Sequence, residues 1–378
     1  MTRLRVAAVG DISFNDRDDE RPSLDVLSAV TSIFRASDVV IANLESPLLR
    51  EGPSVPGKCA LRGSPEWAAI LKQAGVHIVS LANNHVMDFG EAGLASTIQA
   101  LEAAGIRYAG AGHNRTQANA PLFLQCNGIR VGVLARTSVP VSSPSYATDD
   151  RPGTAFLDMQ DTADAIHACR EQADVVMLSI HWGVEEYDYP SARQRSMARR
   201  FLDAGAQLVL GHHPHVLQGL EAIQTGLVCY SLGNLVFREV LWSYADPDGT
   251  LRTEVSGLSA ENRRAAVLTV TLSPRGVQAH EFVPTRIDEA GCVRLDDAPQ
   301  RAPHLARLSS RLKIALYPIF WRLYSLRREW DLRVAPLFTG ALSLSKICRL
   351  RPRHVKELGT RLLRSARITL GKTTNPYE

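Results

Sequence analysis

The sequence predicts an α/β fold in which mixed sheets pack face to face with helices on their outer sides. The first 240 residues alternate short, β-branched apolar runs with segments of helical periodicity. Two further stretches have the turn signals of hairpins, so antiparallel strands join the parallel ones. A purely parallel, doubly wound sheet is therefore not expected.

Five apolar runs are typical of buried strands, because each is short and rich in Val, Ile or Leu. They read LRVAAVG, VVIANLE, HIVSLA, VVMLSIHWG and LVLGHH. Helical periodicity between these runs, with Pro or Ser near several starts, predicts intervening helices. The predicted helices span Pro22–Arg35, Pro65–Ala74, Glu91–Ala104, Asp161–Gln172 and Ser191–Ala204.

The later part of the chain contains hairpin, loop and extension signals. Hairpins are predicted in PLFLQCNGIRVGVLA, around its Asn-Gly, and in RAAVLTVTLSPRGVQAHEFVPTRI. Residues 240 to 262 are polar and turn-rich, which predicts a loop. After Pro299 the composition shifts to Arg, Leu, Ser and aromatics. We therefore expect two units, residues 1–299 and a basic helical extension over residues 300–378, with helices at Leu305–Trp330, Pro336–Leu344 and Val355–Leu370.

Charge is divided unevenly along the chain. Residues 301 to 378 carry 17 Lys and Arg against 4 Asp and Glu, whereas residues 1 to 300 carry 26 against 35. In Leu308–Trp330 the cations alternate with Leu, Ile, Phe, Tyr and Trp, which suits an anionic membrane interface. Polyanion binding, or packing onto the first unit with a solvated basic face, explains the same pattern. We favour packing, keep peripheral membrane contact as the alternative, and do not expect a nucleic-acid partner.

Composition also bears on location. Hydrophobic residues make up 45% of the chain and charged residues 22%, which are values of ordinary globular proteins rather than disordered ones. The first apolar run ends at Asp11, too early for a secretion signal, and no run reaches about 18 apolar residues. The six cysteines form no C-x-x-C pair, which favours a reducing compartment. We expect a cytoplasmic protein, with peripheral contact at the inner membrane face as an option.

Polar side chains with ligand chemistry follow the predicted strands. Neighbouring strand ends bring such residues into one crevice in α/β sheets. Oxygen and imidazole donors suit Mn²⁺, Zn²⁺ or Fe²⁺, and the absence of cysteine argues against a structural zinc cage. The sequence therefore predicts a centre of one or two divalent ions. The strand-end residues are Asp11, Asn43, Glu45, Asn83, Asn84, His85, His181, His212, His213 and His215.

Each signal alone has an ordinary structural explanation. Asp11 could cap a turn, and Glu45 could be a solvated strand end. His181 could be a core histidine with a satisfied hydrogen bond, Asn83-Asn84 a helix cap, and His212–His215 a polar turn. Jointly these explanations require five coincidences at corresponding strand ends, so we prefer the metal site.

Six separated motifs also give the chain a resemblance to a known family. In order they are Gly10-Asp11, Asn43-Leu44-Glu45, Ala82-Asn83-Asn84-His85 with Asp88-Phe89-Gly90, His181-Trp182-Gly183-x-Glu185, Gly211-His212-His213-Pro214-His215 and Ser231-Leu232-Gly233-Asn234. Over residues 4 to 285 this order resembles CapA-like proteins, the poly-γ-glutamate capsule biosynthesis branch of the calcineurin-like metallophosphatases. The resemblance implies a four-layer α/β/β/α fold with a metal centre.

The resemblance further assigns roles to individual residues. It implies metal ligation by Asp11, Glu45, Asn84, His181, His213 and His215, and proton donation to the leaving group by His85. Predicted substrate-binding or supporting residues are Asn43, Arg62, Lys58, His212 and Asn234. For Arg62 and Lys58 a plain surface loop explains the sequence equally well, as a tight turn does for Asn234. Ser13 stands where common metallophosphatases have His, and Glu45 where they have a bridging Asp, so the number of ions stays open.

The function that follows is a metal-dependent hydrolase, with a phosphoester as the first choice of bond. The first alternative is a non-hydrolytic accessory subunit that binds a polyanion or a membrane within a polymer-synthesis complex. The second is an enzyme that forms or cleaves γ-glutamyl-type amides. The expected partner is a small-molecule or polyanionic substrate.

Overall fold

The fold is seen in a computed structural model that describes residues 2–15, 22–56, 59–139, 145–245, 251–298 and 300–334. Lys58 and the helices predicted after residue 334 lie outside the described residues. Eighteen strands occur within these ranges. They are β1 (Leu4–Ser13), β2 (Val39–Leu44), β3 (Ile78–Ser80), β4 (Arg107–Ala109), β5 (Ala111–Gly112), β6 (Leu122–Cys126), β7 (Ile129–Thr137), β8 (Gly153–Thr154), β9 (Val175–His181), β10 (Leu208–His212), β11 (Leu220–Ile223), β12 (Gly226–Cys229), β13 (Asn234–Phe237), β14 (Val240–Ala245), β15 (Leu251–Ser256), β16 (Arg264–Ser273), β17 (Gly276–Ile287) and β18 (Val293–Leu295).

The helices follow the predicted periodic segments closely. The α-helices are α1 (Thr31–Arg35), α2 (Trp67–Ala74), α3 (Gly90–Ala104), α4 (Arg115–Asn119), α5 (Met159–Arg170), α6 (Ala192–Asp203), α7 (Arg301–Arg311) and α8 (Tyr317–Glu329). A 3₁₀ helix (Leu24–Val30) precedes α1, and a π-helical turn (Trp330–Val334) follows α8. The start of α6 shows why these segments fold locally, since Ser191 and Gln194 form a reciprocal capping box.

Two mixed sheets organise the chain. The first has the order β18-β17-β16-β1-β2-β3-β4, with β13 also paired to β1. The second has the order β11-β12-β10-β9-β7-β6. Within the first sheet β1, β2, β3 and β4 are parallel, and within the second β7, β9, β10 and β12 are parallel. Both predicted hairpins are confirmed as β6–β7 and β16–β17.

Three apolar clusters separate four layers. Phe34, Trp67 and Leu71 lie in the cluster between the first sheet and its helices. Leu4 and Ile41 of the first sheet share a second cluster with Met177 and Leu210 of the second sheet. Ile166 and Phe201, from α5 and α6, pack on the outer side of the second sheet. The layer order is helix, sheet, sheet, helix, which confirms the predicted fold.

One predicted element is wrong. Residues 240–262 were expected to be a loop, but β14 (Val240–Ala245) and β15 (Leu251–Ser256) pair as antiparallel strands. The sequences VLWSYA and LRTEVS contain enough β-branched and aromatic residues to pair, and an Asp-Gly lies between them. The polar composition of the segment therefore led to the prediction of a loop where two strands pair.

The first part of the extension packs on the second sheet's outer layer. Leu312, Tyr317 and Trp321 are buried in the same cluster as α6. Pro318 lies in the first turn of α8, where its missing N–H has no helical partner to lose. Within the described ranges, no helix is both long and apolar enough to cross a membrane. The division into residues 1–299 and 300–378 stays a prediction.

Candidate metal centre

The ends of β1, β2, β9 and β10 meet in one buried place. Asp11, Glu45 and His181 have no more than 1% of their surface exposed. Strand β1 changes register at Asp11 relative to both β2 and β13, so the chain bends where this carboxylate projects. Gly10 permits the bend, because a Cβ atom there would lie 1.9 Å from the carbonyl oxygen of Gly233.

The turn after β10 has an unusual backbone. His213 and His215 both have positive φ, 94° and 57°. This conformation strains a residue with a Cβ, and Pro214 between them stiffens the turn. The backbone N–H of His213 donates to Oδ2 of Asp11 (3.1 Å), which fastens the turn to the first sheet. Strain of this kind is concentrated at functional sites.

Asp11 is held by donors from three elements. Nδ2 of Asn43 donates to its Oδ1 (2.8 Å), and the Nδ1 atoms of His212 and His215 lie 3.3 and 3.4 Å from the carboxylate. Burial works to raise the pKa of Asp11, but the neighbouring His212 and His215 hold it well below its usual range. Asp11 is therefore an ionised carboxylate that links both sheets.

Glu45 differs from Asp11 because its charge has no hydrogen-bond partner among the described residues. Both carboxylate oxygens are buried and accept no hydrogen bond. Oε1 lies 3.6 Å from Nε2 of His181 and 3.7 Å from Nε2 of His215. Burial raises the pKa of Glu45 well above its ordinary value. A buried carboxylate without donors is costly unless a cation compensates it.

Glu45, His213 and His215 together have the donor chemistry of a metal site. One ligand atom from each lies within 4.8 Å of the others. Burial lowers the pKa of His213 to about 4, so this imidazole is neutral and able to donate a lone pair. Burial opposes the charged form of His215, but Glu45 and Asp11 outweigh it and raise its pKa to about 10, so a metal bound to Nε2 would displace the proton of this imidazolium. The residues present fit a divalent cation.

The remaining predicted ligands lie beside this group. Nε2 of His181 lies 2.7 Å from Oδ1 of Asn84, and the ring centroids of His181 and His213 are 4.8 Å apart. Burial, together with the nearby His213, lowers the pKa of His181 well below its ordinary value. The structure thus brings all six predicted ligands together, and their ligand roles stay predictions.

His85 is held by a residue to which the sequence reasoning gave no role. Nδ1 of His85 donates to Oδ2 of the buried Asp88 (2.8 Å), which also accepts the N–H of Leu61 (2.7 Å). Asn83 accepts the N–H groups of His85 and Val86, and its Nδ2 donates to Asn43. A polar residue three positions after a histidine was the available sequence signal for Asp88.

Three of the predicted supporting residues contact the ligand set: Asn43, Asn234 and His212, whose Nδ1 lies 3.3 Å from the Asp11 carboxylate. Asn43 contacts Asp11 as described above, and its Nδ2 lies 3.4 Å from Nδ1 of His181. Asn234 contacts His215, since Nδ1 of that histidine donates to its Oδ1 (2.8 Å). Asn234 in turn donates to the carbonyl oxygen of Asn262 (3.0 Å). These amides orient the rings so that the Nε2 atoms of His181 and His215 face Glu45.

Arg62 lies in the loop between β2 and α2 rather than among the ligands. The Arg62 guanidinium donates to the carbonyl oxygen of Arg50. The backbone N–H of the neighbouring Leu61 donates to Oδ2 of Asp88. Glu185 belongs to the motif that begins at His181, and it is exposed. Loss of hydration works to raise the pKa of Glu185, but His213, His215 and His85 hold it below its ordinary value.

Residues 5–239 match the family described as bacterial capsule synthesis protein PGA_cap. The chain belongs to this family. Among relatives of PGA_cap type, capsule biosynthesis protein CapA of Bacillus anthracis is 36% identical over 248 residues, 62% of this chain and 60% of that protein. PGA biosynthesis protein CapA of Bacillus subtilis (strain 168) is 31% identical over 295 residues, 76% of this chain and 72% of that protein.

A solved structure is also similar in fold. The putative 5′-nucleotidase from Staphylococcus aureus in complex with α-ketoglutarate aligns over 81% of this chain and 58% of that chain, with 15% identity and a TM-score of 0.45. The chain thus spans somewhat more than half of the length of that protein and of the Bacillus anthracis relative.

Proposed function

We propose that this PGA_cap protein is a metal-dependent hydrolase that acts on phosphoesters. The observation that carries the proposal is Glu45, a buried carboxylate without hydrogen-bond donors that faces the Nε2 atoms of two histidines. A divalent cation compensates such a charge, and the neutral His213 beside it supplies a further donor.

The ion would be held by Glu45, His213 and His215, with Asp11, Asn84 and His181 as the further ligands of a complete set. Mn²⁺, Zn²⁺ and Fe²⁺ suit these donors, as one ion or two. Such an ion supplies Lewis acidity and a water of lowered pKa. Asn234 and Asn43 keep the imidazoles in the orientation that the set requires.

His85 is the proposed proton donor. Because its Nδ1 is fixed to Asp88, the proton that it gives to a leaving oxygen is carried on Nε2. The side chain is 15% exposed, so a substrate can reach it from solvent. General acid catalysis of this kind contributes about 10²–10⁴-fold to rate.

The proposal is tested by elemental analysis of protein purified without chelator, followed by turnover of a phosphomonoester and a phosphodiester. Glu45→Gln and His213→Ala are expected to lose metal and turnover together. His85→Ala is expected to keep the metal and lose turnover by about 10²–10⁴-fold. His167→Ala, on the exposed surface of α5, is the control and should change neither. Wild-type protein with no metal and no turnover under any added ion would refute the proposal.

A second candidate is a non-hydrolytic accessory role. It is favoured by a relative of Mycobacterium tuberculosis (strain ATCC 25618 / H37Rv) that carries the name probable polyglutamine synthesis accessory protein and is 31% identical over 213 residues. This role predicts binding of an anionic polymer that His85→Ala leaves unchanged. A γ-glutamyl amide in the substrate screen tests the third candidate, amide cleavage.

A further inference from the structure

Helix α8 has apolar side chains on two opposite faces. One face is buried against the second sheet's helix layer through Tyr317, Trp321 and Ser325. The opposite face is exposed. We call its five large side chains the apolar stripe: Leu316, Ile319, Leu323, Leu326 and Trp330, which are 46 to 65% exposed.

The apolar stripe is continuous rather than scattered. Its members recur at spacings of three and four residues, which places them within an arc of about 80° on a helix. Nine large apolar side chains are exposed in the described part of the chain, and five of them belong to this stripe. Single exposed apolar residues are normal, but a contiguous row of this kind marks an interaction surface.

Cations border the stripe on both sides. By helical spacing Arg322 lies along one edge and Arg327 along the other, and both are exposed. Arg311 and Lys313, just before the helix, are exposed as well. The nearby acids are engaged, since Asp331 pairs with Arg327 and Glu329 accepts the hydroxyl of Tyr187. Long cationic side chains beside an apolar row match a layer of anionic headgroups over acyl chains.

The inner face of α8 is firmly attached, so the stripe keeps its outward orientation. The hydroxyl of Tyr317 donates to the carbonyl oxygen of Pro190 (2.7 Å), and the Arg195 guanidinium stacks on its ring at 4.2 Å. The hydroxyl of Tyr324 accepts the N–H of Asp188 (2.7 Å). At 13 residues the helix is about 20 Å long. That length suits a helix lying in the plane of a bilayer surface.

We propose that the apolar stripe docks α8 onto a membrane surface with anionic headgroups. The observations that decide for lipid are the exposed cations Arg311, Lys313 and Arg322 beside the stripe, and the engagement of Asp331 by Arg327 and of Glu329 by Tyr187. This proposal is independent of the proposed metal chemistry, because no member of the stripe belongs to the metal centre.

The test is co-sedimentation of the full-length chain with vesicles of phosphatidylcholine, with and without phosphatidylglycerol. Wild-type protein is expected to bind the anionic vesicles, and Leu323→Glu to weaken binding at least tenfold by placing a charge in the acyl layer. Met159→Glu changes an exposed apolar residue on α5 and is the matched control, with unchanged binding.

A second pair of variants tests the cationic edges. Arg322→Gln is expected to weaken binding to anionic vesicles about fivefold. Arg35→Gln, at the exposed end of α1, is expected to leave it unchanged.

Three results would overturn the proposal. The first is no vesicle binding by the wild type, and the second is equal binding by wild type and Leu323→Glu. The third is a Leu323→Glu variant whose vesicle binding is unchanged, while the protein either changes from a dimer to a monomer or loses thermal stability as a core variant would. That result would mean that protein covers the stripe.

Discussion

The Nδ1 atom of His85 lies 2.8 Å from Oδ2 of Asp88, and this contact leaves Nε2 as the ring nitrogen that Asp88 does not engage. Asp88 is fully buried, so the histidine is held by a fixed acceptor rather than by solvent. The His85–Asp88 pair is similar to other sites in which a carboxylate fixes the tautomer of a catalytic histidine.

The first prediction concerns that pair. Asp88→Asn is expected to lower kcat for a phosphoester by about 10–100-fold, because the amide no longer stabilises the doubly protonated ring that donates from Nε2 of His85. Metal content should stay at the wild-type level. Asp149→Asn makes the same chemical change at a side chain that is 86% exposed, and should leave kcat unchanged. Equal kcat for wild type and Asp88→Asn would contradict the assigned role.

The second prediction concerns the amide that supports His215. Asn234→Ala removes the acceptor of Nδ1, so the ring loses its fixed orientation. Metal affinity is expected to fall about 10–100-fold, measured by competition with a chelator of known affinity. Asn119→Ala, on the distant helix α4, should bind metal as the wild type does.

The third prediction joins metal binding to stability. A ligand at a hundredfold excess over its Kd stabilises the folded state by about 2.7 kcal/mol, so added metal should raise the Tm of the wild type. In Glu45→Gln this rise should be lost. Without metal, Glu45→Gln is expected to be at least as stable as the wild type, because it removes a buried ionisable group whose charged form burial disfavours. A metal-free variant that is less stable would show that Glu45 serves the fold.

The fourth prediction is a pH dependence at Glu221. Burial works to raise the pKa of this carboxyl, but Arg195, Tyr230 and Arg199 hold it below its ordinary value. A depressed folded-state pKa gives stability that is present above the unfolded value of about 4.3 and lost as pH falls through the folded value. Glu221→Gln should therefore cost about 3 kcal/mol at pH 7 and progressively less below about pH 4.

Urea unfolding at pH 7 and at pH 3 measures how the cost of Glu221→Gln changes with pH. Glu66→Gln breaks an exposed pair with Arg50, and is expected to cost less than about 1 kcal/mol at either pH. A cost for Glu221→Gln that is the same at pH 3 and pH 7 would rule out the linkage.

The fifth prediction tests how α8 supports the segment that carries Glu185. The hydroxyl of Tyr324 accepts the N–H of Asp188 and donates to its Oδ2 (3.2 Å). Tyr324→Phe leaves both groups without this partner and should cost about 1–3 kcal/mol in unfolding free energy. Tyr108→Phe, which loses only a long contact to Glu102 (3.4 Å), is the control.

Much of the fold could be predicted because several central strands are buried along their whole length. In β9 and β10 every residue is buried, so hydrophobic runs and strands coincide. The pairing of β14 with β15 was missed because the turn-forming residues DPDGT between the strands and the polar residues of LRTEVS dominate the composition of the segment. The segment Leu24–Val30 was predicted as part of one helix, but its hydrogen bonding is of the 3₁₀ type, a distinction that periodicity does not make.

The candidate site was predictable to a different degree. Strand ends placed Asp11, Glu45 and His181 near one another, because parallel strands bring their carboxyl ends to one edge. The contacts of Asp88 with His85 and Leu61, and of Asn234 with Asn262, depend on how loops return to the sheet. No periodic pattern in the sequence specifies the course of those loops.

The positive φ of His213 strains the backbone, whereas its imidazole belongs to the candidate metal centre. Stability and metal binding therefore favour different residues at this position. A glycine there would relieve about 1 kcal/mol or more of backbone strain and remove a buried imidazole from the site. A library of variants selected for thermal stability alone should therefore accumulate glycine at residue 213, whereas selection for metal-dependent turnover should retain histidine. The residue can thus serve as an internal reporter of which property a population of variants has been selected for.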